Sequence, residues 1–444
     1  MTSIAPTRIL IVGSGGREHA LAWKLASEPG GNGIIVAPGS DAIAREPRVR
    51  RAAEVDPLDP DAVVRLARRE AVELVVIGPE ASLAAGVSDA LREAGIAVFG
   101  PSLAAARIES SKAFCHEIAA AAGVPMARAG SFHDANGARQ FAAELAADGH
   151  GVVVKADGLA GGKGVTVCDS LAEAEAAIDR LLEADPASAV VIEDRLSGQE
   201  ASLIAICDGR DAVALPLSRD HKRLGDGDTG PNTGGMGAYS PLPDLPDETI
   251  GSLLAAFHRP ILAELASRGT PFRGALYAGL ILTARGPVLL ECNARFGDPE
   301  TQAILPRLAI ALGPALLAAA RGDLRAVLPS SVMADGRLPD LPGATVAIVL
   351  AAAGYPGRPS TGDEISGLDE ESANSALIFH AGTSVDPDGT VRTAGGRVLS
   401  VVGRAADVPA ARAVAMMAAE QIQAPGLQHR HDIGLLAVAA GAGR

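Results

Sequence analysis

Short apolar runs that stop at glycine or proline recur through the first hundred residues. Residues 8–12 (RILIV) run into Gly13-Ser14-Gly15-Gly16, after which helical spacing continues to about Ala26. Ile34–Val36 and Leu74–Ile77 are also apolar and end in Ala37-Pro38-Gly39 and Gly78-Pro79-Glu80. A helical stretch over Ser82–Glu93 leads to Ala97–Phe99 and Gly100-Pro101. Unbroken apolar runs alternating with helices predict a parallel sheet with ligand loops at the carboxyl ends of its strands. This Rossmann-like N-terminal unit is placed at residues 1–105.

The pattern then changes. A helix is expected over Ile108–Ala122, carrying Ser111-Lys112, followed by an α+β segment. Its elements are a helix around Ala138–Ala147, strands Gly151–Lys155 and Val165–Cys168, helix Leu171–Leu182 and strand Ala189–Glu193. Strands Ala201–Cys207 and Ala212–Pro216 precede a long, glycine-rich polar loop, Ser218–Ser240. Loops of that length in compact chains are usually functional or disordered. Helix Thr249–Ala266 and strands Tyr277–Leu282 and Val288–Asn293 close a domain at 106–325. A smaller α+β domain, 326–444, has strands around 344–350 and 397–402 and a helix near 409–421. The fold class is α/β and α+β multidomain.

Composition narrows the function. The chain has 444 residues, and at roughly 150 residues per domain that suggests about three domains. Aromatic residues are 3% and the formal charge is −14, which argues against a nucleic-acid partner. The apolar run Leu308–Ala320 is broken by Gly313 and Pro314 and falls short of the ~18 residues of a membrane span. The first residues lack the charged start and cleavage pattern of a signal peptide. Cys115, Cys168, Cys207 and Cys292 show no CxxC spacing, so reduced thiols and a cytoplasmic location are expected. Of 39 basic residues only five are lysine: Lys24, Lys112, Lys155, Lys163 and Lys222. In an arginine-biased chain, a retained lysine points to a place that needs a compact, mobile ammonium. All but Lys24 fall in segments that suit phosphate.

Four segments carry candidate chemistry. Gly13, Ser14, Gly15 and Gly16 open a helix and can offer amides to a phosphate; Arg17, Glu18 and His19 either contact a phosphorylated sugar or form a solvated helix start. A dinucleotide fingerprint would want an acidic residue after the second strand, where Ala37-Pro38-Gly39 stands instead. Lys155 through Gly164 form a glycine loop between two strands, with Gly158, Gly161, Gly162 and Lys163 positioned to fold over phosphates. It is not a Walker loop, because no GK[ST] opens a helix. In Val288–Asn293, Glu291 and Asn293 share one strand face and suit Mg²⁺, which takes one or two protein oxygens plus nucleotide phosphates. Arg295-Phe296-Gly297-Asp298 follows directly. Asp220, Lys222 and Arg223 lie in the polar loop.

Together these segments resemble the ATP-grasp superfamily and, within it, the phosphoribosylamine–glycine ligase (glycinamide ribonucleotide synthetase) family, over nearly the whole chain. The resemblance rests on GSGGREHALAWKL (13–25), GPEASLAAGV (78–87), ESSKAF (109–114), VVKADGLAGGKGV (153–165), LYAGL (276–280) and ECNARFGDPETQ (291–302). The stretch DHKRLGDGDTGPNTGGMGAYSP (220–241) is very specific to the family, and FHAGT (379–383) and GGRVLSVVG (395–403) look like its C-terminal domain. It implies a pre-ATP-grasp domain, an ATP-grasp domain of two lobes with a mobile lid at about 125–195, and a C-terminal α+β domain. The implied reaction joins glycine to 5-phosphoribosylamine at the expense of ATP, through glycyl phosphate, as a step of purine biosynthesis.

The implied cofactors are ATP and Mg²⁺ or Mn²⁺, and the implied state is a monomer. By the same resemblance, Lys112 and Lys155 reach the ATP phosphates and residues 158–164 close over them. Glu193 and the backbone to Leu196 hold adenine, and Glu200 holds the ribose. Glu291 and Asn293 ligate the metal. Arg295 steadies the transferring phosphoryl group or the glycine carboxylate. Asp220, Lys222, Arg223, Gly297 and Asp298 shape the acceptor site, and residues 13–19 meet the phosphoribosyl group. Three departures stand out: Ser40-Asp41 in place of the usual Asn-Ala, a glycine at 161 in LAGGKG, and Cys292 in place of an aromatic between the metal ligands. Another ligase or a carboxylase of the superfamily would share the glycine loop and the metal strand but take bicarbonate or a different amine as substrate.

Overall fold

The computed structural model describes residues 5–29, 33–147, 149, 151–159, 164–185, 187–368 and 376–435. Its first sheet is parallel, in the spatial order Val49–Arg51, Ile34–Pro38, Ile9–Gly13, Leu74–Ile77, Val98–Phe99. The central strands are buried on both faces, which is why they read as continuous apolar runs rather than as alternation. The order reverses at Ile9–Gly13, so the loops after Gly13 and Ile77 diverge and open a crevice there.

Two helices expected as single pieces are each split. Ser82–Glu93 is two helices, Glu80–Ala84 and Val87–Glu93, separated at Gly86 with φ +80°. Ile108–Ala122 is Leu103–Ser110 and Lys112–Ala121. Ser111 adopts extended backbone between them and its hydroxyl accepts from the Phe114 amide at 3.1 Å, so it caps the second helix rather than continuing the first. The break fixes the start of the helix that carries Lys112.

The next two sheets are antiparallel. One runs Ala129–Phe132, Val190–Asp194, Val152–Ala156, Val165–Cys168, packed on helices Ala135–Ala147 and Leu171–Ala184 around a core of its own that includes Leu145, Val154 and Ile178. The other runs Ala212–Ala214, Gln199–Asp208, Arg273–Thr283, Gly286–Asn293. The expected helix over Thr249–Ala266 is interrupted by a π turn at Leu254–His258, just before Pro260, which has no amide to donate.

The polar stretch Ser218–Ser240, expected as a loop, is a correction of larger consequence. Arg219–Asp220 and Gly237–Ser240 are strands of the C-terminal sheet, which continues through Ala344–Ala351, Arg397–Ala405 and Leu377–His380. Between them, Arg223–Gly225 pairs with Thr229–Asn232 as a separate ribbon. The sequence hides this because the ribbon residues are polar and partly exposed, so no period-2 apolar pattern marks them. The run Leu308–Ala320 forms the buried helix Leu312–Arg321. Among the described residues, no helix is long and apolar enough to cross a membrane.

Candidate active site

Lys155, on strand Val152–Ala156, bridges two sheets. Its Nζ pairs with Glu193 Oε2 at 2.7 Å and donates to the Leu290 carbonyl at 3.4 Å. Leu290 is available because the ladder between Arg273–Thr283 and Gly286–Asn293 slips at that point, a bulge that takes its backbone out of register. Glu193 is buried, and its other oxygen lies 2.9 Å from His116 Nε2. Burial alone would raise the Glu193 pKa, but Lys155 and His116 outweigh it and hold the carboxylate ionised.

His116 sits one turn after Lys112 on helix Lys112–Ala121. Lys112 Nζ donates to the Gly158 carbonyl at 2.9 Å, and burial lowers its pKa. Asp157 docks the first residues of the glycine loop on that helix: its Oδ1 accepts from the Lys112 amide at 2.5 Å and the Ala113 amide at 3.3 Å. Gly158 has φ +135°, and the Gly164 carbonyl accepts from the Ala156 amide at 2.8 Å, so both ends of the loop are fixed. Gly161, Gly162 and Lys163 lie outside the described residues. Leu196 is half-buried just after strand Val190–Asp194.

The centre of the site is on strand Gly286–Asn293. Glu291 and Asn293 share a face, with Asn293 Nδ2 3.3 Å from Glu291 Oε1, while Cys292 points into the core. Lys222 Nζ stands 3.2 Å from the same Glu291 oxygen and 3.7 Å from Glu200 Oε2. Lys222 is the main reason the Glu291 pKa falls to about 2. In turn, burial works against the Lys222 charge, but Glu291, Glu200 and Asp220 raise its pKa. Asp220 has its pKa pushed up by burial, with Lys222 opposing and Glu300, Glu200 and Glu291 adding to the rise. Below it, Ser202 Oγ lies 3.0 Å from the Tyr277 hydroxyl and 3.2 Å from Glu300 Oε1.

A third group gathers at the crevice of the parallel sheet. Glu18 Oε2 accepts from the Gly15 amide at 2.7 Å, and its Oε1 meets Arg17 Nε at 2.6 Å. Gly78 leaves room for the Glu18 carboxylate, since a Cβ there would lie 2.0 Å from Glu18 Oε1. Ser14 is exposed, and Gly16 lies close to Gln302, whose Nε2 would be 2.8 Å from an added Cβ. Arg17 Nη1 donates to the Phe296 carbonyl at 3.3 Å. Arg295 pairs with Glu80 and Glu109, both at 3.2 Å, and these carboxylates raise its pKa although burial opposes them. Gly297 packs on Glu300, where a Cβ would come within 2.5 Å of Oε2. Asp298 bonds Gln302 Nε2 at 2.7 Å and Arg397 Nη2 at 3.1 Å. Burial works against its charge, but Arg397 and Arg17 outweigh it and lower the pKa.

Several residues acquire neighbours the sequence did not suggest. His19 is buried: its Nδ1 accepts from the His380 amide at 2.8 Å, so Nε2 carries the proton and faces Glu46 at 3.1 Å. It therefore links the first helix to the C-terminal domain. Asp41 pairs with Arg51 at 2.7 Å. Arg223 donates to the Gly230 carbonyl at 2.7 Å and stiffens its own ribbon, and Lys24 bonds the Leu308 carbonyl at 3.1 Å. Sequence reasoning missed His116, Glu80, Glu109, Tyr277, Glu300 and Arg397. His116 had a signal, its i+4 spacing from Lys112; Glu80, Glu109, Tyr277, Glu300 and Arg397 stood inside quoted motifs without being singled out.

A donor set of one carboxylate and one amide oxygen suits a hard divalent cation that fills its sphere from a bound nucleotide. No group of three or more His, Cys, Asp or Glu able to hold a metal occurs among the described residues.

Comparisons with known proteins identify the family. Family models described as phosphoribosylglycinamide synthetase N domain, ATP-grasp (A) domain and C domain match residues 7–109, 110–301 and 345–436. A phosphoribosylamine–glycine ligase of Streptomyces coelicolor is 48% identical over 438 residues, covering 98% of this chain and 100% of the relative. One from Phenylobacterium zucineum is 46% identical, covering 96% and 98%. The crystal structure of a phosphoribosylamine–glycine ligase from Thermotoga maritima superposes with a TM-score of 0.80 at 33% identity, covering 96% of this chain and 100% of that one. The biotin carboxylase domain of a Hydrogenobacter thermophilus 2-oxoglutarate carboxylase, solved with MgADP and bicarbonate, gives 0.68 at 16% identity, covering 96% and 92%; that likeness shows the fold alone.

Proposed function

The chain belongs to the phosphoribosylglycinamide synthetase family of ATP-grasp enzymes and is an ATP-dependent phosphoribosylamine–glycine ligase; on that premise we propose how its residues divide the reaction. Lys112 and Lys155 bind the ATP phosphates, the 158–164 loop covers them, Glu193 and the backbone near Leu196 take adenine, and Glu200 takes the ribose. Glu291 and Asn293 hold Mg²⁺, with Mn²⁺ as a substitute. When bound, that cation offsets the negative charge on the phosphates.

A glycine carboxylate oxygen attacks the γ-phosphorus, the bond from that phosphorus to the ADP oxygen breaks, and glycyl phosphate and ADP result. The amine of 5-phosphoribosylamine then attacks the glycyl carbon. The carbon–oxygen bond to phosphate breaks and the nitrogen loses a proton. Asp220, two residues before Lys222 in the same segment, takes that proton. Arg295 steadies the glycine carboxylate or the phosphoryl group in transfer. Lys222, Arg223, Gly297 and Asp298 shape the acceptor site, and the amides of residues 13–16 with Arg17 receive the sugar phosphate. Glu18 and His19 support that loop from behind. Phosphoryl transfer requires positioning and charge balance, not a protein nucleophile.

The observation that supports this division most is the Gly286–Asn293 strand, which meets Lys155 through Leu290 on one side and Lys222 through Glu291 on the other. We further propose that the enzyme works as a monomer in the cytoplasm, with residues about 125–195 as a lid over ATP. Glycine labelled with ¹⁸O in its carboxylate tests the chemistry. One labelled oxygen is expected in the released phosphate; unlabelled phosphate would contradict a glycyl phosphate intermediate.

A further inference from the structure

The ribbon Arg223–Gly225 and Thr229–Asn232 is gripped from the C-terminal domain by residues 430–433. Arg430 has only 1% of its side chain exposed, a burial that arginine tolerates only with partners. Its Nη1 donates to Asp228 Oδ1 at 2.7 Å and to the Arg223 carbonyl at 3.1 Å. Its Nε and Nη2 meet the two Asp432 oxygens at 2.7 and 2.6 Å. Asp432 Oδ2 also accepts from the Gly227 amide at 2.8 Å, and Asp226 Oδ1 accepts from the His431 amide at 2.7 Å. At the base of the ribbon Ile433 packs on Gly237, where a Cβ would lie 2.8 Å from it.

These contacts touch none of the nucleotide or metal residues. What they hold is the backbone around Lys222. The His221 amide donates to the Gly237 carbonyl at 2.9 Å, the Lys222 carbonyl accepts from the Thr233 amide at 2.7 Å, and the Arg223 carbonyl takes Arg430. A lysine side chain is long and flexible, so where its ammonium rests depends on where its backbone is fixed.

We propose that Arg430 is a positioning residue for the acceptor site: its guanidinium, reaching from the C-terminal domain, fixes the backbone at 222–223 so that Lys222 Nζ stands between Glu200 and Glu291. This rests on the reading that Lys222 and Arg223 serve phosphoribosylamine. It makes the C-terminal domain a contributor to acceptor recognition through a residue that never touches the acceptor.

The test compares Arg430→Gln, Arg430→Lys and Lys222→Met in the full chain, by KM for each substrate and by backbone hydrogen exchange. Arg430→Gln is expected to raise the KM for phosphoribosylamine about tenfold and leave that for ATP within about twofold. Amides at 223–233 exchange faster, and Arg430→Lys falls between, because an ammonium keeps the charge but not the fork. Unchanged loop exchange and unchanged KM overturn the proposal, as does a uniform loss of kcat with exchange rising across the whole C-terminal domain. Lys222→Met separates the two ideas. An unchanged phosphoribosylamine KM there overturns the acceptor-site reading itself; a raised one beside an unchanged Arg430→Gln overturns only the positioning role. If Arg430→Gln does not fold, Asp228→Asn takes the charge from one leg while leaving an acceptor in place, and the same KM and exchange shifts, smaller in size, are expected; their absence overturns the proposal.

Discussion

The ammonium of Lys222 lies 3.2 Å from Glu291 Oε1, so a lysine of the polar stretch and a carboxylate of the metal strand hold each other across the site. Asn293 donates to the same oxygen. Glu291 is therefore kept ionised and aimed before any cation or nucleotide arrives. Replacing it with glutamine keeps the shape and removes the charge. Glu291→Gln should cut turnover by about 10² or more while Tm shifts little, since the side chain is about a third exposed at 37%. Turnover against Mg²⁺ concentration checks this: activity restored by saturating metal would place the defect in affinity alone.

Lys155→Met leaves the buried Glu193, among the described residues, with His116 as its remaining ion-pair partner. Removing one member of a buried pair typically costs about 3–5 kcal/mol, and His116 should hold the loss near the lower bound. Urea unfolding measures it. The same variant should raise the KM for ATP; the KM for phosphoribosylamine should change little.

Gly78→Ala places a methyl where Glu18 Oε1 now sits and pushes Glu18 off the Gly15 amide. Overpacking of this kind costs about 1–3 kcal/mol. Phosphoribosylamine should bind more weakly with ATP binding intact, as read by separate KM values. Equal effects on both substrates would show that the crevice does not serve the acceptor.

Much of this organisation was legible in the sequence because the chemistry follows spacing. Glu291 and Asn293 fall two apart on a strand, and four of the five lysines fall in polar or glycine-rich segments. Of those four, Lys112, Lys155 and Lys222 do face one cleft and Lys163 lies outside the described residues, while the fifth, Lys24, bonds a helix-end carbonyl elsewhere. What stayed hidden depends on long-range packing. Ser111 reads as helical until its hydroxyl is seen capping the next helix. The ribbon at 223–232 has no apolar period, because its partners are the charged side chains of Arg430 and Asp432, some two hundred residues later. His19 looked like a ligand contact because it follows the glycine turn, yet its ring is occupied by the His380 amide and Glu46.

Acid stability should reflect histidines held neutral. Burial lowers the pKa of His221 and His258 to about 4 and of His380 to about 3. Unfolded, each binds a proton below the ordinary histidine range near 6.5, so the unfolded state holds more protons between there and pH 4. Stability is full above pH 6.5 and falls as the pH drops through that window, by up to ~1.4 kcal/mol per pH unit for each histidine. His258→Gln should flatten the slope by about one proton, measured by urea unfolding at several pH values. An unchanged slope would mean that His258 is not held neutral.

ADP release by the purified chain, with glycine, phosphoribosylamine and divalent metal omitted one at a time, tests the assignment most directly. Turnover should require all of them, yield glycinamide ribonucleotide with equimolar ADP and phosphate, and collapse in Glu291→Gln. ADP release that ignores glycine, or that proceeds with bicarbonate in its place, would contradict it.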